Sequence, residues 1–293
     1  MQKSNRNLGI MVGVLILILA CCCVLACLGA MAGGLIFRGN TRGLPVVGGP
    51  QTVQQNDLGL AWQEDIDGLF AFYAQYPADS NIMDGILPNP ALPIMGVFDV
   101  LDKIRMQDGW VLDYVYHVDG MGSYPILYAR PESQAPYRDE VALREAMNAC
   151  AGVYESDQCP EFMDHVVVDG SPLSYLQLAL LATSGDQFYL GWHANYNDTK
   201  PIATREALEA VVAELQAETF GKALSAADAS RAKRLPTAPW VKITGQTVEI
   251  RYLTFSKWGG FYEQNISINP ASPYHWNFGE PKPLLPYESG IMF

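Results

Sequence analysis

The sequence predicts an α+β fold, an antiparallel or mixed sheet of hairpins with helices packed on one face, preceded by a single transmembrane helix. Three observations predict it. A long charge-free run lies near the N-terminus, stretches of period-two alternation come in pairs around turn residues, and helical apolar stripes follow those pairs.

Residues 1–7 form a short tail containing Lys3 and Arg6. From Leu8 to Phe37, 30 residues carry no charge, and a membrane-crossing helix needs about 20 apolar residues. A cleaved signal peptide would have an apolar core of roughly 7–15 residues before a small-residue site. Ala30-Met31-Ala32 offers such a site, but the run before it is too long. A bacterial lipoprotein would carry its lipid on Cys21, after Ile18-Leu19-Ala20. Leu19 is large for that position, and the apolar run continues past Cys21. An uncleaved anchor over 8–37 accounts for the whole stretch, with lipidation at Cys21 as the second reading. Lys3 and Arg6 are balanced by Arg38 and Arg42, so flanking charge barely orients the helix. The short tail and the acidic bulk favour a C-terminal domain outside the cytoplasm, periplasmic or at the cell surface. Ala26, Ala30 and the Gly29/Gly33 pair are spaced four apart, as on faces where helix backbones meet closely in lipid. They predict a contact with a membrane-protein partner or a second copy of the chain.

Residues 38–56, with Gly43, Pro45, Gly48, Gly49 and Pro50, read as a flexible linker. The domain proper spans 57–268. It opens with a helix near Leu58–Tyr76, ended by Pro77, and a second short helix is expected near Ile94–Met106 after Pro88, Pro90 and Pro93. Trp110, Leu112, Tyr114, Tyr116 and Val118 share one face of a strand; Val111, Asp113, Val115 and His117 share the other. Asp119-Gly120-Met121-Gly122 turns it into a partner strand at Ile126–Arg130, and Pro125 places that partner late or at an edge. A helix from Arg138 to Cys150 follows, its stripe made of Leu143, Ala146, Met147 and Cys150.

Three further strands are predicted at His165–Val168, Tyr175–Thr183 and Gln187–Tyr196. Thr204 caps a helix that turns Leu208, Val211, Val212 and Leu215 inward, with Gly221 as its stop. A short helix over Ala226–Arg234 leads to strands at Val241–Phe255, turning near Gly245, and at Phe261–Ile268. The two hairpin-then-helix units, 110–150 and 164–220, hint at an internal repeat. The Pro-rich residues 269–293 read as an extended arm, with Tyr274, Trp276, Phe278 and Tyr287 as candidate binding residues.

Charge narrows the partners. The chain has 19 Lys and Arg against 31 Asp and Glu. Four of the basic residues precede position 43, so the remainder carries 15 against 31, a net of −16. So acidic a domain repels phosphate backbones, and nucleic acid is not an expected partner. Cys150 and Cys159 would close a short loop as a disulfide in an oxidising compartment.

The candidate chemistry is two histidine–carboxylate sets, His117 with Asp119 and His165 with Asp169, since such pairs can move protons or bind metal. Both aspartates precede glycines, where turns favour Asp for local reasons. The sequence has no G-x-S-x-G, no H-E-x-x-H and no phosphate-cradling glycine loop. Neither a metal nor a cofactor is expected. The reading is a membrane-anchored binding or assembly module, leaning away from an enzyme. The rivals are an extracytoplasmic hydrolase that uses the His/Asp sets and a lipid-anchored solute-binding domain.

Overall fold

A computed structural model describes residues 55–77, 91–150, 159–192, 194, 199–219, 221–270 and 276–290. The expected anchor with Cys21, Ala26, Gly29, Ala30 and Gly33 lies outside these residues, as does Tyr274. Among the described residues no helix is long and apolar enough to cross a membrane. Residues 48–293 form one compact unit, which holds every element below.

The first helix, α1 (Gln55–Ala74), buries Leu58, Trp62, Ile66, Leu69 and Tyr73 at three- and four-residue steps. The helix expected over 94–106 is shorter. A 3-10 turn (Ile94–Gly96) and a single turn of helix, α2 (Val97–Val100), give way to strand β1 (Ile104–Met106). The hairpin of β2 (Trp110–Val118) and β3 (Gly122–Pro131) pairs Trp110 with Pro131 through Val118 with Ser123. The partner strand thus begins earlier than expected. Pro125 is tolerated because the third strand of this sheet, β5 (Gly191–Trp192), reaches only Gly122 and Ser123. Leu112, Leu127 and Ala129 point into the main core, while Val115 and Tyr128 pack on Leu143 of α3 (Glu140–Cys150).

The segment 172–184 departs from the expected strand. It forms α4 (Pro172–Ser184), with Ser171 as N-cap accepting from the Ser174 amide at 3.2 Å and Pro172 in the first turn. Residues 174–181 are all buried. A helix surrounded by core shows no stripe, so its apolar run cannot be told from a buried strand by periodicity. Before it, a 3-10 turn (Phe162–His165) leads into β4 (Val166–Val168), which pairs with β1. The strand expected over 187–196 shrinks to β5, because Tyr189 adopts the left-handed region at φ 52° and interrupts the extended backbone. With these changes the internal repeat disappears.

After β6 (Lys200–Ile202), Thr204 caps α5 (Arg205–Gln216) by accepting from the Ala207 amide at 3.2 Å, and Leu208, Val212 and Leu215 are buried. Helix α6 (Ala226–Ala232) precedes β7 (Trp240–Ile243), β8 (Val248–Ser256) and β9 (Gly260–Ile268). The six-stranded sheet is built on the long β8–β9 pair. Strands β6 and β7 share the outer edge of β8. On the far side of β9 lie β10 (Trp276–Phe278) and β11 (Lys282–Pro286). All described pairings are antiparallel.

Two features differ from expectation. Helices lie on both faces of this sheet, not one. Val248, Ile250, Tyr252, Ile266 and Ile268 meet α1 and α4 in the main core, while Leu253, Phe255 and Phe261 meet α5 and α6 in a second core. This explains why Tyr252–Phe255 are buried in succession rather than alternately. The C-terminal segment is extended as expected, yet it is part of the sheet: β9 has a free edge, and pairing with β10 and β11 satisfies its backbone groups. Gly260, at φ 103°, allows the close approach, since a Cβ there would collide with the backbone of Leu285 and Tyr287.

Candidate functional site

The two histidine sets stand at opposite ends of β2. His117 is near its C-terminal end, and its imidazole is gripped on both sides. Nδ1 lies 2.5 Å from Glu140 Oε2, on the first turn of α3, and Nε2 lies 3.3 Å from Asp119 Oδ2. Burial pulls the His117 pKa down, but hydrogen bonds to Glu140 and Asp119 outweigh it and hold the ring above its ordinary value. Asp119 serves mainly as a turn residue, its Oδ1 accepting from the amides of Met121 and Gly122 at 2.6 and 2.7 Å. Glu140 also takes Arg144. With both ring nitrogens committed to carboxylates, His117 is a clamp between the hairpin turn and α3.

His165 is buried at the other end. Its ring stacks on Trp110, with centroids 3.4 Å apart, and Nε2 donates to the Cys159 carbonyl at 2.9 Å. Trp110 and His117 are seven residues apart on one strand, a run of roughly 23 Å at about 3.3 Å per residue. Asp169 does not complete a pair with His165 here; it accepts from the Ser171 amide at 2.8 Å and organises the turn into α4. The two sets therefore share no pocket. Among the described residues no three His, Cys, Asp or Glu side chains are placed to hold a metal ion.

Cys150 and Cys159 are joined, with Cα atoms 5.7 Å apart. The aromatic residues of the C-terminal segment divide. Tyr287 is buried and donates from its hydroxyl to the Lys222 carbonyl at 2.8 Å. Trp276 is half-buried against the main core and stacks on Phe278, which is 55% exposed. Two of the three described candidates thus serve packing.

A different surface brings polar side chains from four strands together. Helices α5 and α6 cover only one end of the sheet's outer face. Beyond them the pleat turns Trp240, Lys242, Glu249, Arg251, Asn265, Ser267 and Asn277 toward solvent, side by side through the pairings Trp240–Arg251–Asn265 and Lys242–Glu249–Ser267–Asn277. Two hollows adjoin there, of about 260 Å³ and about 180 Å³, and Arg251 lines both. The larger has apolar walls from Pro236, Leu253 and Leu284 and a carboxylate, Glu263; the smaller is lined mainly by polar side chains. The Arg251 guanidinium lies over the Trp240 ring, 4.6 Å from its centroid. Lys242 and Lys282 face Glu249 and Glu263 at 4.0 and 3.5 Å. Among the described residues, none of the ion pairs includes Arg251.

No protein-family model, curated protein or solved structure matches the chain. Sequence reasoning missed this polar surface because its residues come from four strands and look individually like an ordinary solvated face. The one available signal was the odd-numbered run Glu249, Arg251 set against Leu253, Phe255, where one face of a strand changes from polar to apolar.

Proposed function

We propose that the protein is a membrane-tethered binding module, carried outside the cytoplasm, that receives its ligand or partner subunit on the open half of the sheet's outer face. The observation that carries the reading is Arg251. Its guanidinium is held by Trp240, makes no ion pair among the described residues and stands where two hollows meet. An arginine stacked on an aromatic ring, with its donors still available, is a typical anchor of recognition surfaces. The charge-free run over Leu8–Phe37 supports the tether, and the Cys150–Cys159 link supports an oxidising compartment. The separation of His117 from His165 leaves the hydrolase reading without a shared pocket for those two histidine sets.

The test is native mass measurement, with identification of bound species, on the full-length protein gently extracted from its own membranes. The wild type is expected to carry a bound partner or ligand that the Arg251→Glu variant loses. A wild-type protein of bare monomer mass would overturn the reading.

A further inference from the structure

We propose that the two hollows meeting at Arg251 take an acidic sugar, a pyranose ring bearing a single carboxylate; this rests on the reading that the open sheet face is the binding surface. Guanidinium is planar and presents paired N–H donors that match a carboxylate, and stacking on Trp240 fixes its plane while leaving its donor edge open. Among the described residues Arg251 is the one cation lining the hollows, and Lys242 and Lys282 nearby already face carboxylates. The domain's net charge of −16 opposes any anion, and the more strongly the higher its charge, so one guanidinium suits a monoanion better than a polyanion or doubly charged phosphate.

Around Arg251 the chemistry suits hydroxyl groups. Asn265, Ser267 and Asn277 offer both donors and acceptors, and Glu249 and Glu263 offer acceptors, while Pro236 and Leu284 can receive the C–H face of a ring. Each hollow is smaller than the roughly 300–1,000 Å³ of a drug-sized site, a size that suits a single ring beside Arg251. A peptide strand would add through main-chain bonds at a sheet edge, whereas this face presents side chains only.

The test titrates the full-length protein in detergent with methyl glucuronoside, methyl galacturonoside and methyl glucoside, followed by saturation-transfer NMR and calorimetry. At least one uronoside is expected to bind. The neutral glucoside should bind about tenfold more weakly or less, the loss expected when a charged hydrogen-bonded pair is missing. Arg251→Gln should reduce uronoside binding to the glucoside level without changing the melting temperature. Ser267→Trp, which fills the polar hollow, should block binding independently. The inference fails if neither uronoside binds, if glucoside binds equally well, or if Arg251→Gln binds like the wild type. If no uronoside binds but an Arg251-dependent partner still co-extracts from membranes, the sugar assignment falls and the binding-face reading stands. Absence of both removes the reading itself.

Discussion

Replacing Asp65 with Asn is expected to stabilise the protein at neutral pH. Asp65 lies on α1 and is held by Gln177, a fully buried residue of α4. Gln177 Nε2 donates to Asp65 Oδ2 at 3.0 Å and to Asp102 Oδ1 at 3.4 Å, and its Oε1 accepts from the Lys103 amide at 2.8 Å. Loss of water pushes the Asp65 carboxyl up from 3.8 to about 6. The Gln177 hydrogen bond opposes the shift, Asp102 and Glu64 add to it, and Lys103 opposes it again. The folded protein therefore holds this proton more tightly than the unfolded chain does. The resulting stability is fully present below pH 3.8 and is lost as pH rises through about 6. At about 1.4 kcal/mol per pKa unit the ceiling is about 3 kcal/mol, and solvent contact at this partly exposed group reduces it to about 1–2 kcal/mol. Asn keeps an oxygen for the Gln177 amide and never ionises, so it should recover that amount at pH 7.5 and gain almost nothing at pH 4. Urea unfolding of the full-length protein in detergent, followed by tryptophan fluorescence at pH 4, 6 and 7.5, measures both. A variant weaker than wild type at pH 7.5, or a difference that does not change with pH, would refute the reasoning.

Three further outcomes follow from the same geometry. The His117 imidazole should titrate above 6.5 by NMR, and Glu140→Gln should lower it; its stabilising grip is complete below pH 6.5 and fades as pH rises through the raised value, so a titration at or below 6.5 would contradict the clamp. Replacing both Cys150 and Cys159 with Ser should cost about 2–3 kcal/mol, the chain-entropy value for so short a loop, and intact mass after alkylation without reductant should find neither thiol free. Leu285→Ala, at a position 2% exposed in the second core, should cost about 2–5 kcal/mol by urea unfolding; a loss below about 1 kcal/mol would mean that the C-terminal segment is not a structural strand.

Some of this was legible in the sequence. Period-two alternation over Trp110–Val118 located β2 and both its faces, and Thr204 with the Leu208, Val212, Leu215 stripe located α5 with its cap. Such signals are local, arising from a strand or helix with one wet side. Where the wet side vanished, the signal went with it. Tyr175–Thr183 reads as a strand because an apolar run buried all round, as in α4, has no period. Residues 276–286 read as a loose arm because short strands beside prolines become strands only when a neighbour such as β9 supplies the hydrogen bonds. The same holds for the candidate site. His117 with Asp119 was visible because they are two residues apart, whereas Glu140 reaches them only across the packing of α3 on the hairpin.

The sequence by itself determined the α+β class, the charge-free segment over 8–37, the acidity of the remainder and the pairing partners Cys150 and Cys159, since composition and short-range spacing are properties of the chain. Only the tertiary structure decided that His117 and His165 lie apart, that helices flank both faces of the large sheet, and that Trp240, Arg251, Asn265 and Ser267 share one open surface. Those residues are brought together by strand register, and register is fixed by which faces the two cores bury.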